Sequence, residues 1–325
     1  MDRKLMVNLA LGSLLAAALV WLLLMQSNPA DILHAVASIS LVSLVSALLF
    51  YLFSNILRAL RFKLLVSRRY CISFLLDIVH MTNLLYWLLP GKSNEIAYVY
   101  LMKRSKTSVA EGIASIIVAR IFDFFAIITF FFIAIFFIEP SKTLAPILWT
   151  AFTIIFLVAV FLALFITFEN RFVSILVYVL RRSNVTRYRF IQVLVKELQA
   201  ISKAITKVKS RNILGGLLAY SYAIWFAYFI FYYILIAAVG IKLTVAAVVV
   251  GITLNIIAAT IPVKGIGSLG TYEGYWTLSF ILLGVSKELA IASSFATHAV
   301  SLLFAALLGI YSFIRFRTTS FQKKH

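Results

Sequence analysis

Long apolar segments constrain the fold of this chain more strongly than any other feature of its sequence. Six of them approach the roughly 20 residues that a membrane-spanning helix needs. They run over about 5–25, 36–57, 113–138, 145–168, 212–238 and 287–314. Hydrophobic residues make up 63% of the chain and charged residues 13%, which excludes an ordinary soluble domain. We therefore expect an all-α, polytopic membrane protein with about six spanning helices.

The first apolar segment begins as a secretory signal peptide would, because Arg3 and Lys4 precede it. It is long, however, and no small-residue cleavage site clearly follows it. We expect it to remain as a membrane anchor.

Positive charge is concentrated in a few parts of the chain. The formal net charge is +19, and the basic clusters lie within 58–69, 103–106, 169–211 and 315–324. The segments 26–35, 139–144 and 239–242 contain only Lys142 and Lys242 as basic residues. The positive-inside rule therefore predicts that the clusters and both termini lie on the cytoplasmic side of a cell membrane. We expect no nucleic-acid partner, because no binding motif accompanies the charge.

Two further apolar segments, 71–89 and 243–261, each end at a proline. If the first crossed the membrane completely, the basic clusters that follow it would lie outside. If 71–112 instead enters from the cytoplasm, turns at Pro90-Gly91 and returns, every cluster stays inside. The same reasoning has 243–284 enter from the outside and return there. We therefore predict two re-entrant broken-helix hairpins of opposite orientation, which form an inverted repeat.

The two proline-ended segments also carry the same polar residues in the same order. Asn83, Pro90 and Lys92 recur as Asn255, Pro262 and Lys264, each 172 residues later. A second match, 178 residues apart, joins Ile113-Ala114-Ser115 and Arg120 to Ile291-Ala292-Ser293 and His298. The change in offset fits a lengthened loop after Pro262. Related halves with interrupted helices are typical of secondary transporters.

The whole chain, 1–325, is interpreted as one membrane domain. Its parts are an N-terminal helical pair (1–70), repeat 1 (71–138), connecting helices (139–242), repeat 2 (243–314) and a basic tail (315–325). Within the connecting part, 169–211 has apolar residues at helical spacing opposite many cations. Such a segment lies on an anionic membrane surface or docks a cytoplasmic partner.

Non-helical backbone inside a membrane must be buried in protein or face a wet cavity, so we expect the two turns to meet at a shared polar cavity. Glycine tolerates positive φ and lets backbone approach a ligand closely. The expected gating residues are Pro90, Gly91, Pro262, Gly265, Gly267 and Gly270.

The polar residues of these segments are the candidate substrate-binding residues. Lys92, Lys264 and Arg120 offer positive charge to an anionic group. Glu95 and Glu273 contact a cationic part of a headgroup, balance the charge of the lysines or hold the turns.

Further candidates leave two roles open for each residue. Asn83 and Asn255 bond either backbone freed by the breaks or a ligand. His298 either lines the cavity or is an ordinary core histidine. Arg120 and Asp123, three residues apart on one helix, either neutralise each other or form an anion site in which Asp123 orients Arg120.

Asp77 and His80, also three residues apart, open the first broken helix. They belong either to a proton-coupled gate or to the solvated membrane interface. An ionisable group at the bilayer centre is costly, and so it is a functional hypothesis by default.

Four motifs resemble, in order, those of the flippase-like family, also called the lysylphosphatidylglycerol synthase transmembrane region family. They are Arg58-Ala-Leu-Arg61-Phe-Lys63, Pro90-Gly-Lys-Ser-Asn-Glu95, Ala119-Arg120-Ile-Phe-Asp123, and Pro262-Val-Lys-Gly-Ile-Gly267 with Glu273. The resemblance covers nearly the whole chain. It implies movement of phospholipids or lipid-linked headgroups across a membrane, with Arg58 and Arg61 as cytoplasmic headgroup contacts.

The resemblance also sets expectations about substrate and partners. A polyprenyl-phosphate-linked lipid remains among the substrates. Because the chain ends at His325, just past its last apolar segment, synthase activity is expected to be absent. A homo-oligomer or a separate cytoplasmic synthase is a further expected partner.

The predicted function is therefore flipping or scrambling of an anionic phospholipid or lipid-linked headgroup through the polar cavity. The alternative is a membrane-embedded transferase, which would need a base or nucleophile among Glu95, Glu273, His80 and His298. No metal-ligand spacing, phosphate loop or catalytic triad pattern occurs in the sequence. We therefore predict no catalytic residue, no cofactor and no metal.

Overall fold

The structure is a computed structural model that describes residues 18–26, 28–89, 93–138, 212–259 and 266–322, with isolated positions between 145 and 206. Every regular element among these residues is helical, which confirms the predicted all-α class. Most of the amphipathic segment 169–211 lies outside the described residues, as do Pro90, Gly91 and 260–265.

Long helices and short helical pairs follow one another along the chain, in the order that the sequence predicted. They are α1 Pro29–Ala37, α2 Leu41–Leu65, α3 Ile72–Leu88, α4 Ser93–Arg104, α5 Val109–Ile135, α6 Leu214–Ala238, α7 Val245–Ala258, α8 Thr271–Leu282 and α9 Lys287–Gln322. A 3-10 turn at Ile266–Ser268 precedes α8.

Within the described residues, four helices are long and apolar enough to cross a membrane: α2, α5, α6 and α9 through Thr318. They correspond to four of the six predicted spans, which supports a multi-pass membrane protein. The other two predicted spans, 5–25 and 145–168, lie largely outside the described residues. The helix α2 begins at Leu41 because the Ser40 hydroxyl oxygen accepts the Ser43 N–H at 3.1 Å, a standard helix cap.

Two helices run further than the hydropathy predicts. The helix α2 continues past residue 57 to Leu65, and α9 continues past residue 314 to Gln322. In each extension an arginine is paired with a carboxylate: Arg61 with Asp123 at 2.6 Å and Arg315 with Asp77 at 2.7 Å. Because a carboxylate balances each arginine, the arginine can lie inside the bundle and the helix can continue past it.

The helical pairs α3–α4 and α7–α8 are too short to span. Their helices have 17, 12, 14 and 12 residues, against the roughly 20 that a full crossing needs. Each pair is followed by a long helix, α5 in the first repeat and α9 in the second. Each pair is also preceded by one, α2 and α6.

The first pair begins and ends at the same end of the helix bundle. Tyr70, just before α3, donates its O–H to the carbonyl oxygen of Ser105, just after α4, at 2.8 Å. The last turns of α9 reach this end as well, since Arg315 also donates to the Ser73 carbonyl oxygen at 2.9 Å. We call this the basic end, because Arg68, Arg69, Lys103, Arg104 and Lys106 belong to it.

The second pair begins and ends at the opposite end. There Ser38, after α1, donates to the carbonyl oxygen of Ala238 at the end of α6, and α7 starts a few residues later. The start of α9 packs at this end, where Ala292 clusters with Ala35 and Val239. The two pairs therefore enter the bundle from opposite ends, as an inverted repeat requires.

The repeats hold each other through exchanged contacts. The pair helix α3 packs along α9 of the second repeat, and α7 packs along α5 of the first. The preceding helices α2 and α6 make the most extensive helix–helix contact in the described structure. Aromatic rings fill the centre; Tyr51 lies 5.6 Å from Phe231 and 5.8 Å from Phe304 between ring centroids.

Candidate functional site between the two repeats

The interrupted regions of the two repeats meet inside the bundle. Trp87, in the last turn of α3, has its ring centroid 5.4 Å from that of Tyr272 and 4.8 Å from that of His298. A Cβ atom added to Gly267 would lie 3.4 Å from the Trp87 carbonyl oxygen. Gly267 and Gly270 adopt φ of 67° and 74°, the positive values that glycine tolerates best.

Each repeat places a glutamate of its pair against a basic side chain of its following helix. In repeat 1, Arg120 Nη2 donates to Glu95 Oε1 at 3.1 Å. In repeat 2, His298 Nδ1 and Glu273 Oε1 are 2.5 Å apart. Both contacts join residues 25 positions apart, and the same 178-residue offset relates them. They are one contact present in two copies.

The two copies differ sharply in exposure. The Arg120 and Glu95 side chains are 49% and 24% exposed, whereas those of His298 and Glu273 are 4% and 0% exposed. Repeat-related positions thus present one pair to the surroundings and enclose the other. We call them the open pair and the closed pair.

The serines of the second sequence match are equivalent in structure too. A hydrogen bond of 3.1 Å joins Tyr98 to Ser115, and Trp276 Nε1 donates to Ser293 at 3.0 Å. Each bond fastens the second helix of a pair to the long helix after it. The matched serines therefore orient α4 and α8, and with them Glu95 and Glu273.

Asp123 and Arg120 form their ion pairs with other residues rather than with each other. Asp123 accepts hydrogen bonds from Arg61 Nη1 at 2.6 Å, from Arg61 Nη2 at 3.2 Å and from Trp225 Nε1 at 2.8 Å. Arg61 Nη1 also donates to Ser221 Oγ at 2.9 Å. Because these partners come from α2 and α6, Asp123 points into the bundle while Arg120 points towards α4.

Arg61 was expected to contact headgroups on the cytoplasmic side, but the same network holds it inside the bundle. Its side chain is only 2% exposed and joins three helices. Arg58, one turn earlier, is half-buried. Burial of the guanidinium is tolerated here because a bidentate carboxylate balances its charge.

The two matched asparagines have different environments. Asn83 donates its Nδ2 N–H to Asn55 Oδ1 on α2 at 2.9 Å, which is a contact between helices. Asn255 is buried, and its Oδ1 has no hydrogen-bond partner among the described residues.

Buried polar atoms without a hydrogen bond are concentrated in repeat 2 of the described structure. Seven of the ten such atoms belong to Thr253, Asn255, Ser268, Glu273, Thr277, His298 and Ser301. Buried polar groups are ordinarily paired. The concentration marks the surroundings of the closed pair as suited to a polar ligand or to rearrangement.

Asp77 and His80 join the repeats rather than facing solvent. Asp77 pairs with Arg315, and His80 Nδ1 is 3.0 Å from Ser312 Oγ on α9. The remaining predicted site residues, Lys92, Lys264, Pro90, Gly91, Pro262 and Gly265, lie outside the described residues.

The pairing of Glu95 with Arg120 and of Glu273 with His298 was not predicted. The available signal was the equal spacing: 25 residues separate the acid from the base in both repeats. The burial of Arg61 had no comparable signal, because its partners come from distant parts of the chain.

Fold and site together define a multi-pass helical membrane protein with an inverted repeat and a polar site where the repeats meet. The family model for the lysylphosphatidylglycerol synthase transmembrane region matches residues 9–309, and the chain belongs to that family. Membership ties the protein to membrane lipids. No curated protein and no solved structure was found to match the chain.

Proposed function

We propose that this protein translocates an anionic phospholipid or lipid-linked headgroup across the membrane, by flipping or scrambling, through the site between its repeats. The observation that carries the proposal is the duplicated acid–base contact, open in repeat 1 and closed in repeat 2. A transporter needs a polar site that is reachable from one side at a time. Two inverted copies of one site meet that need.

The open pair has the chemistry for an anionic headgroup. Arg120 is half-exposed and bonds Glu95 through Nη2 alone, so other guanidinium N–H groups remain available for phosphate oxygens. Arginine is suited to bidentate binding of phosphate. Lys92 stands directly before α4 in the chain and adds a second positive charge close to Glu95 in sequence.

The closed pair supplies the other half of the path. Moving a charged headgroup through hydrocarbon without polar partners is prohibitively costly. Where the interrupted helices meet, Trp87 and Gly267 bring polar backbone to the centre of the bundle, and Lys264 precedes this turn in the chain. A headgroup passing between the two pairs would exchange one set of polar partners for the other while its acyl chains stay in lipid.

We further infer that the basic end faces the cytoplasm, which would place the C-terminus inside. The support is that basic loops far apart in the chain lie together at this end, as the positive-inside rule requires. Exposed Cys71 belongs to the same end. Its hydrogen bond with Ser73 lowers the pKa of the Cys71 thiol below the ordinary value, which favours reaction with a maleimide.

Translocation is tested with purified protein in vesicles that contain fluorescent phosphatidylglycerol, where dithionite bleaches only the outer leaflet. Separate Gln substitutions of Lys92, Lys264 and Arg120 should each slow lipid movement without reducing the yield of folded protein. Lys242→Gln, in an exposed loop away from the site, is the matched control and should keep the parental rate.

Parental rates for all three site variants would refute the anion-binding role. Mass spectrometry of the same vesicles tests the transferase alternative. A changed headgroup mass would favour the enzyme, whereas unchanged lipids would favour the transporter.

A further inference from the structure

We propose that Glu273 and His298 form a proton-binding site, and that this protein moves its anionic lipid together with a proton. The inference rests on the proposed translocation and adds its co-transported ion. It begins with the one chemical difference between the duplicated pairs: repeat 1 has arginine where repeat 2 has histidine. Arginine stays charged at every physiological pH, but histidine changes charge near neutrality.

The closed pair is almost completely enclosed, because the side chains of His298 and Glu273 are 4% and 0% exposed. The His298 ring packs against two aromatic rings, with centroids 4.8 Å from that of Trp87 and 4.9 Å from that of Tyr272. The second carboxylate oxygen of Glu273 and the second ring nitrogen of His298 have no hydrogen-bond partner among the described residues. Both atoms would be free to take a proton or a ligand once water reaches them.

No described charge on the elements packed around this pair balances it. Arg58 lies on α2, which reaches α9 through Tyr51 and Phe304, and it interacts with Asp123. The helix α7 contains no charged residue, and α6 contributes the hydroxyl of Tyr232 beside Tyr272. Asp77 and His80 of α3 are bound to Arg315 and Ser312, which lie roughly 26 Å and 21 Å from His298 along α9. Asp31 and His34 of α1 are exposed, as are Lys287 and Glu288 at the start of α9.

Charge balance then determines how many protons the pair holds. In a dry site, unbalanced charge is strongly disfavoured. The closed pair without lipid is therefore neutral, with one proton shared between carboxylate and imidazole. A lipid phosphate brings one negative charge. With a second proton, the pair becomes a neutral carboxylic acid beside an imidazolium, and the imidazolium balances the phosphate.

Coupling follows from this count. When repeat 2 opens as repeat 1 is open here, the pair meets water and takes up lipid and one proton together. When the site closes and opens to the other side, the phosphate leaves and the extra proton leaves with it into that solution. One proton crosses with each anionic lipid, and no other reactant is needed.

The test uses vesicles containing fluorescent phosphatidylglycerol with a pH dye trapped inside. With acid outside, the final ratio of inner to outer labelled lipid should rise about tenfold per unit of pH difference for one proton per lipid. The internal pH should fall as lipid enters. His34→Gln, which removes an exposed histidine outside the site, should preserve both effects.

Variants of the pair should remove the coupling. His298→Arg gives repeat 2 the fixed charge of repeat 1, and His298→Gln and Glu273→Gln remove one titrating group while nearly preserving volume. In those that fold, any remaining lipid movement should reach the same final ratio with and without a pH difference. A pair variant that keeps the parental dependence on the gradient would overturn the proposal.

Measurements on the wild-type protein distinguish failure of the proton coupling from failure of the proposed translocation. Lipid movement whose final ratio ignores the pH difference would overturn proton coupling while leaving translocation intact. No lipid movement at any pH would overturn the proposed function and, with it, the coupling.

Discussion

Asp123→Asn removes a buried charge from a network that the sequence did not reveal. The substitution keeps the side-chain volume but leaves the guanidinium of Arg61, whose side chain is 2% exposed, without its carboxylate. Breaking a buried ion pair by removing one partner costs about 3–5 kcal/mol. Because an unfolded chain in detergent or lipid also finds polar partners, we expect the lower part of that range.

The open pair provides a matched control on the same helix. Arg120→Gln breaks an ion pair of the same charges, but one whose arginine is 49% exposed. Such pairs contribute about 0–1 kcal/mol. The same type of contact should therefore cost several times more when it is broken at Asp123 than at Arg120.

A second variant distinguishes an unpaired charge from a general packing defect. Arg61→Met combined with Asp123→Asn removes both charges, and most of the lost stability should return. If Arg61 has no direct contact with lipid, lipid translocation should return as well.

The assay measures the unfolding of the purified protein in detergent, with tryptophan fluorescence as the signal. Trp225 is a built-in reporter, because its indole N–H donates to Asp123 at 2.8 Å. If Asp123→Asn lost no more stability than the roughly 1 kcal/mol expected of an exposed pair, the buried network would not be the structural element inferred here. A stable double variant that fails to move lipid would instead assign Arg61 to the substrate.

Three further outcomes are expected. Gly267→Ala and Gly284→Ala both place a methyl group at positive φ, and each should lower the free energy of unfolding by about 1–2 kcal/mol. Only Gly267→Ala should also impair lipid movement, and equal transport rates per folded molecule for the two variants would contradict a role for the turn at Gly267. Gly309→Ala should destabilise by about 1–3 kcal/mol, because its Cβ would lie 2.6 Å from that of Leu84; unchanged melting would mean that α3 and α9 separate freely. An impermeant maleimide should label native Cys71 only from the cytoplasmic side, and labelling of intact cells from outside would reverse the orientation.

Local patterns in the sequence were sufficient for the long helices and the short pairs, but not for the helix α1 or for the extensions of α2 and α9. Apolar length predicted the long helices, and the prolines predicted where the short pairs break, because both properties depend on residues close together in the chain. The matched residues predicted a repeat, and the distribution of basic clusters predicted that it is inverted. Gly267 and Gly270 adopt the backbone conformation that their residue type favours.

Tertiary structure alone decided which charges meet. Arg120 and Asp123 are neighbours in sequence, yet Asp123 bonds Arg61, 62 residues away, and Trp225, 102 residues away. A hydropathy scale gives every arginine the same value. It therefore predicted that α2 ends before Arg61, although the charge of Arg61 is paired with Asp123 inside the bundle. The difference between a partly exposed Glu95 and an enclosed Glu273 is likewise absent from their matching motifs. It arises because burial depends on how the two repeats pack against each other, and no local pattern records that packing.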